Sequence, residues 1–128
     1  MINCDDLMIG NMIIQKEVEI DEYLKGESRV IKVDSIYFDA IDPSLYLVNG
    51  HPCEFYNPIL ITEEWLIELG FNYSYEFDEW FENPDDSGFM MVRNYETGKW
   101  SNGSVDILYI HELQNLYRMK RGIKLSPL

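Results

Sequence analysis

Turn-forming dipeptides interrupt this sequence at short intervals, which limits most of it to short strands. Asn49-Gly50 lies between two apolar segments, and both of its residues tolerate the positive φ angles of a type I′ hairpin turn. Thr97-Gly98 and Asn102-Gly103 are turn signals of the same kind, and the polar segment 83–88 is another. We therefore predict a small, strongly bent sheet or barrel in the first half and an antiparallel β-meander over residues 71–108.

Two segments have the signals of helices instead. Thr62 is suited to cap a short central helix, with Glu63 and Glu64 in its first turn and Gly70 as the left-handed residue after its end. A second helix near the C-terminus is predicted by an apolar stripe at helical spacing, formed by Ile110, Leu113, Leu116 and Tyr117. The fold class is therefore predicted to be α+β.

The C-terminal helix carries the chain's only basic cluster and three polar residues near its apolar stripe. Arg118, Lys120 and Arg121 lie in its last turn, where the helix dipole stabilises each cation by about 0.3–1 kcal/mol. The polar residues are His111, Gln114 and Asn115. We expect these three to satisfy backbone groups of the meander, and a ligand site is the alternative.

Length and composition indicate one domain over residues 1–128, with a β-rich half over 1–61 and the helices and meander over 62–128. The 128 residues are 46% hydrophobic, which suffices for a core. No apolar run approaches the roughly 20 residues of a membrane helix, and the first ten residues contain acids where a signal peptide has Lys or Arg. We therefore expect a cytoplasmic protein. Two cysteines are too few for a disulfide framework.

The formal net charge of -13 is concentrated in the middle of the chain. Between Val33 and Val92 there are thirteen acidic residues and no Lys or Arg, whereas residues 93–128 carry a net positive charge. Direct binding to nucleic acid is disfavoured, because phosphate contacts require clustered Lys and Arg. A basic protein surface is the expected partner.

The run YSYEFDEWFENPDD, residues 73–86, is the predicted partner-binding segment. We expect its aromatic residues to contribute to the core of a strand while its acids face solvent, either as a plain solvated face or as a surface that imitates a phosphate backbone. The predicted partner-binding residues are Asp78, Glu79, Glu82, Asp85 and Asp86.

Residue type and spacing also allow three other kinds of site to be assessed. Cys4, His51, Cys53 and His111 supply zinc ligand types, but their spacing matches no compact zinc module. Segment 83–94 resembles a calcium loop at its start, yet Asn94 stands where the bidentate Glu is needed, so a hairpin turn is predicted. The sequence lacks the common phosphate-binding and hydrolase motifs. No metal, cofactor or catalytic residue is therefore predicted.

Three stretches, DDLMIGNMI, NPILITEEWLIELGF and YIHELQNLYRMKRGIKL, resemble a family of small uncharacterised proteins from phages, prophages and mobile elements of Bacteroidetes bacteria. IHELQNLY is the most specific part of the resemblance, which carries over no catalytic residue. The resemblance implies a bacterial, phage-associated protein. We expect a non-enzymatic inhibitor of a nucleic-acid-handling defence enzyme such as a CRISPR nuclease. A self-assembling accessory or structural phage protein, with a homodimer as one form, and a small carboxylate-dependent hydrolase are the alternatives.

Overall fold

The computed structural model describes residues 7–15, 19–21, 24–25, 29–38, 46–52, 56–83 and 86–125. The chain forms two compact units, Met1–Ile59 and Leu60–Leu128. The predicted division after residue 61 lies close to this boundary. The α+β fold class is confirmed, because the described residues form small antiparallel sheets, a five-stranded meander and two helices.

The described part of the first unit consists of short strands in antiparallel pairs. Three strands form a sheet in the order β4-β1-β8, three more form a sheet in the order β5-β6-β7, and β2 pairs with β3. The strands are β1 Met12–Gln15, β2 Glu19–Asp21, β3 Leu24–Lys25, β4 Arg29–Lys32, β5 Ile36–Phe38, β6 Tyr46–Val48, β7 His51–Pro52 and β8 Tyr56–Asn57.

The hairpin turn between β6 and β7 also determines where a neighbouring strand ends. Asn49 and Gly50 have φ angles of 49° and 81°, as the prediction of a type I′ turn requires. The Asn49 side-chain oxygen accepts hydrogen bonds from the backbone N–H groups of Asp34 and Ser35, at 2.7 and 3.1 Å, and its nitrogen donates to the Lys32 carbonyl at 2.8 Å. The run 29–38, rich in β-branched and aromatic residues, therefore forms two strands separated at 33–35.

A small apolar cluster holds the first unit together. Its buried members are Leu7, Ile13, Val33, Val48 and Tyr56. The Tyr56 hydroxyl donates to the Val48 carbonyl at 2.6 Å, so its polar atom is satisfied inside the cluster. Burial raises the pKa of Tyr56.

The second unit contains the predicted meander between two helices. The sheet order is β13-β12-β11-β10-β9, with every neighbouring pair antiparallel. The elements are α1 Glu63–Glu68, β9 Asn72–Ser74, β10 Glu79–Asn83, β11 Asp86–Arg93, β12 Trp100–Asn102, β13 Val105–Ile107 and α2 Ile110–Arg121.

Helix α1 has the predicted signals at both ends. The Thr62 hydroxyl accepts from the Trp65 N–H at 3.2 Å, which caps the N-terminus. At the C-terminus, Gly70 has a φ angle of 90° and donates to the Ile67 carbonyl, while the Phe71 N–H donates to the Leu66 carbonyl at 2.8 Å. These two bonds form a Schellman motif, which directs the chain into β9.

Helix α2 packs its predicted apolar stripe into the core of the second unit. Ile110, Leu113, Leu116 and Tyr117 are all buried, and the Tyr117 ring lies 5.1 Å from the Phe89 ring of β11, centroid to centroid. At its N-terminus, the Glu112 carboxylate accepts from the backbone N–H of Tyr109 at 3.0 Å. Lys120 reaches across to the side chain of Asn102 on β12. The helix is therefore fixed to the sheet by both apolar and polar contacts.

Two of the polar residues of α2 are buried beside its apolar stripe. Gln114 is buried, and its side-chain nitrogen donates to the carbonyl of Leu125 at 2.9 Å, beyond the helix. His111 is also buried, and its ring stacks with that of Tyr109.

Within the described residues, no helix combines the length and the apolar character required to span a bilayer.

Candidate functional site

The hairpin between β9 and β10 ends in a four-residue turn with two large apolar side chains in solvent. Ser74 pairs with Glu79, so Tyr75–Asp78 form the turn, which we name the acidic-aromatic turn. The Tyr75 and Phe77 side chains are 92% and 63% exposed, and Glu76 is also exposed. The expected strand over this run is therefore interrupted, and its acids and aromatics alternate around a turn.

Asp78 holds the acidic-aromatic turn in place. Its φ angle is 50°, a left-handed conformation that Asp tolerates better than most residues. Its carboxylate accepts hydrogen bonds from the hydroxyls of Tyr73 and Tyr95, the latter at 3.3 Å. Tyr73 is on β9 and Tyr95 follows β11, so one carboxylate connects the turn with a neighbouring loop.

The pKa values of both phenols are raised above the ordinary tyrosine value. The hydrogen bond to Asp78 raises the pKa of Tyr73 to about 12. The pKa of Tyr95 is also raised, first by burial and then by the negative charge of Asp78. Neutral phenols at physiological pH are suited to hydrogen bonding and packing, not to proton abstraction.

Arg93 brings one positive charge to this face of the second unit. Its guanidinium carbon lies 5.4 Å from the ring centroid of Tyr95 and 5.7 Å from that of Trp100, its cross-strand partner. One guanidinium nitrogen lies 3.9 Å from a carboxylate oxygen of Glu63 on α1. The guanidinium is thus held by two aromatic rings and a loosely paired carboxylate.

A cleft with a volume of about 510 Å³ separates α1 from the β9–β10 hairpin. Three aromatic rings form part of its wall: Tyr73 lies 4.9 Å from Tyr75 and 5.1 Å from Trp80, centroid to centroid. Glu63 and Ile67 supply the α1 side, and Ile67 is 61% exposed. The residues that line the cleft are Glu63, Ile67, Phe71, Asn72, Tyr73, Tyr75 and Trp80.

The five residues predicted to bind a partner do not form one group. Asp78 is exposed in the acidic-aromatic turn, and the partly exposed Glu79 begins β10 beside it. Glu82 lies three residues further along the strand, roughly 10 Å from Glu79 at the usual rise. Asp86 begins β11 opposite Asn83, and Asp85 lies outside the described residues. The predicted site is therefore divided between the two ends of β10.

Several contributors to this face are not identified by the sequence. Tyr75, Glu76 and Phe77 belong to the same run, but its composition is typical of a strand and gives no reason to single them out. Tyr95 contacts Asp78 of the turn from the loop after β11, and Arg93 lies between Tyr95 and Glu63 of α1. These three residues are distant from the turn in sequence, so no local pattern identifies them. The only local signal is the absence of Lys and Arg from residues 33–92, which leaves the acids of that segment without a basic neighbour in sequence.

The residues that could supply metal ligands lie elsewhere. His51 is exposed in the first unit and His111 is buried in the second, while Cys4 and Cys53 lie outside the described residues. In the part of the chain that the structure describes, no three His, Cys, Asp or Glu residues are grouped to hold a metal ion. Asn83 and Asp86, from the calcium-like segment, pair across the β10–β11 hairpin, as predicted for a turn.

No family model matches this chain, and neither a curated protein nor a solved structure is significantly similar to it. Its function must therefore be inferred from the residues of the second unit. These residues place exposed aromatic side chains, carboxylates and a cleft around a turn that hydrogen bonds restrain.

Proposed function

We propose that this protein is a non-enzymatic binding protein whose acidic-aromatic turn docks onto a basic surface of a protein partner. The observation that carries the proposal is the exposure of Tyr75 and Phe77, at 92% and 63%, in alternation with the carboxylates of Glu76 and Asp78. Exposed aromatic residues are enriched among the residues that dominate binding energy at protein interfaces. The adjacent carboxylates favour a partner that presents Lys and Arg.

The turn's fixed conformation supports the proposal. Binding costs free energy when a loop must be ordered, and a preformed loop avoids part of this cost. The two hydrogen bonds from Tyr73 and Tyr95 to Asp78, together with the pairing of Ser74 with Glu79, restrain the turn before any partner arrives. Its aromatic side chains are therefore presented on a rigid support.

The kind of partner follows from the charge and from the family resemblance. A groove that binds nucleic acid presents clustered Lys and Arg, which carboxylates can engage in place of phosphates. The resemblance to phage and mobile-element proteins favours a bacterial defence enzyme with such a groove, for example a CRISPR nuclease. The protein would then act by excluding nucleic acid from the groove.

The test measures binding of purified nucleic-acid-handling defence enzymes to the intact protein, by calorimetry at several salt concentrations. Glu76→Gln with Glu79→Gln should weaken binding roughly twofold to thirtyfold, since each exposed charge pair contributes about 0.2–1 kcal/mol. The matched control is Asp34→Asn with Asp106→Asn, which removes two charges from exposed positions: Asp34 is in the other unit and Asp106 is on β13, at the opposite edge of the sheet from β9.

Three further measurements separate the alternatives. Binding should weaken with added salt, because exposed charges are screened over about 8 Å at physiological ionic strength. The enzyme's own nucleic acid should compete with the protein for the same groove. Glu82→Gln with Asp86→Asn tests the far end of β10 and should weaken binding less. Sedimentation of the protein alone reveals self-association. The proposal would be overturned if Glu76→Gln with Glu79→Gln weakened binding no more than the Asp34→Asn, Asp106→Asn control, or if no enzyme bound the protein.

A further inference from the structure

We infer that the cleft between α1 and the β9–β10 hairpin receives the guanidinium group of an arginine side chain on the partner. The inference rests on the proposed function, because it assigns one contact of the basic surface to one position on this protein. The cleft adjoins the acidic-aromatic turn and shares Tyr75 with it. A partner docked on the turn therefore has a side-chain pocket beside its contact surface.

The walls of the cleft have the chemistry of a cation site. The rings of Tyr73 and Tyr75 meet at 84° and those of Tyr73 and Trp80 at 49°, so the planes of the three rings that line the cleft are not parallel. A cation is attracted to the face of an aromatic ring when it lies within about 6 Å of the ring centroid. Trp80 is buried, which fixes the position of one wall.

Glu63 adds a carboxylate that retains capacity for a second cation. Its nearest contact with Arg93 is 3.9 Å, longer than the roughly 2.7–2.9 Å of a charge-assisted hydrogen bond. The Glu63 side chain is 54% exposed, so it is accessible from solvent. A carboxylate can accept two parallel hydrogen bonds from a guanidinium, which favours Arg over the point charge of Lys.

Arg93 shows how a guanidinium uses this kind of surface. It lies over the rings of Tyr95 and Trp100 and beside Glu63, so an aromatic pair and a carboxylate already hold one guanidinium on this face. Among the described residues that line the cleft there is no Lys or Arg, so the aromatic walls there lack an internal cation. The volume of about 510 Å³ is ample for one arginine side chain.

The experiment titrates the intact protein with short glycine-flanked peptides that differ at one central residue. The probes carry arginine, lysine, trimethyl-lysine or citrulline, and the signal is the NMR shift of the Trp80 indole N–H. We expect saturable binding of the arginine peptide, at least threefold weaker binding of the two lysine peptides, and no shift with neutral citrulline. Tyr75→Ala and Glu63→Gln should each weaken binding of the arginine peptide at least threefold.

A second pair of variants tests the role of Arg93. Arg93→Gln removes the internal competitor for Glu63 and should tighten binding about twofold, whereas Lys124→Gln removes the same charge from an exposed position beyond α2 and should not. Equal shifts with arginine and citrulline, tighter binding of trimethyl-lysine, or unchanged binding in Tyr75→Ala would each overturn the inference. The charged peptides carry one charge at their central residue and test only the cleft. If they do not bind, the inference fails, but the proposed function is still tested by the charge variants. If the charge variants show no effect, the proposed function fails, and the peptide titration still reports on the cleft.

Discussion

Asp78 combines two roles that usually belong to different residues. Its backbone adopts the left-handed conformation that ends the turn, and its carboxylate accepts from the hydroxyls of Tyr73 and Tyr95. A glycine would meet the first requirement but not the second. An asparagine would meet the first and would replace the charge with a neutral amide, so the two roles can be separated by a single substitution.

We predict that Asp78→Asn lowers the pKa of Tyr73 from about 12 toward the ordinary tyrosine value of 10.0, because the hydrogen bond to the carboxylate is the main cause of the shift. The folded state of the wild-type protein favours the protonated phenol. Its contribution to stability is therefore fully present below pH 10 and is lost as the pH rises through about 12. The Asp78→Asn variant should lack this loss.

The measurement is an NMR titration of tyrosines labelled at the Cζ carbon, with urea unfolding at about pH 9 and about pH 11, on either side of the ordinary tyrosine pKa. Tyr56 is an internal control, because it belongs to the other unit and the cause of its raised pKa is burial, not Asp78. If Tyr73 titrates identically in both proteins, the hydrogen bond does not cause the shift.

The sequence predicts turns where glycine occurs and misses the turn where it does not. Asn49-Gly50 is identified by the dipeptide itself, because both residues tolerate positive φ. The acidic-aromatic turn has no glycine, and its Tyr and Phe residues are typical of strands, so local propensity favours a continuous strand. The Glu63–Arg93 pair is set by the packing of α1 beside the sheet, which no local pattern encodes.

Among the elements, the β6–β7 hairpin has an effect beyond its own two strands. The Asn49 side chain forms hydrogen bonds with backbone groups of residues 32, 34 and 35. These groups are therefore not available to extend the strand pairing from β4 into β5. A turn residue therefore separates two strands at a point fifteen residues before it in sequence. This explains why the β-branched run 29–38 does not form one long strand.

Two substitutions at Asn49 should separate its side-chain bonds from its backbone conformation. Asn49→Gly retains the left-handed conformation and should destabilise the first unit by about 1–3 kcal/mol through the lost hydrogen bonds. Asn49→Ala should cost roughly 1–2 kcal/mol more, since Ala is strained at a φ of 49°. Urea unfolding, followed by the NMR methyl signals of Ile13 and Val48, measures both. Equal stability of Asn49→Gly and the wild type would show that the side-chain bonds contribute nothing.

Helix α2 is the most predictable element, and the limits of that prediction are informative. Periodicity identifies the buried stripe, because 3.6 residues per turn place Leu113 and Leu116 on one face. Periodicity does not identify the Leu125 carbonyl as a partner of Gln114, because this carbonyl reaches the helix only after the chain turns back beyond Gly122. Polar partners that depend on such a reversal require the tertiary structure.

For the whole molecule, the two units have different spectroscopic reporters. The three tryptophans are Trp65, Trp80 and Trp100, and all belong to the second unit. Trp80 and Trp100 are buried, with ring centroids 6.5 Å apart. Tryptophan fluorescence therefore follows the core of the second unit, and the methyl signals of Ile13 and Val48 follow that of the first.

We predict that Leu113→Ala destabilises the second unit by about 2–5 kcal/mol, because Leu113 is fully buried and its truncation leaves a cavity. Urea unfolding observed by tryptophan fluorescence measures the loss. Met119→Ala on the same helix is the matched control: Met119 is 77% exposed, and its truncation should change the free energy of unfolding by less than about 0.5 kcal/mol. Similar losses in the two variants would show that burial on α2 does not govern stability.

The short bridge between Leu60 and Tyr109 has a consequence for the order of folding. With the Ile61 N–H donating to the Leu108 carbonyl at 3.0 Å, it joins the segments that precede the two helices and encloses the meander in a loop of roughly fifty residues. Closing a flexible loop of this length costs roughly 3 kcal/mol of chain entropy in its length-dependent part alone. Each hairpin of the meander joins two strands that are consecutive in sequence. Once a hairpin has formed, the flexible segment between Leu60 and Tyr109 is shorter. We therefore expect the bridge to be among the last contacts that the second unit completes, after the strands between its ends have assembled.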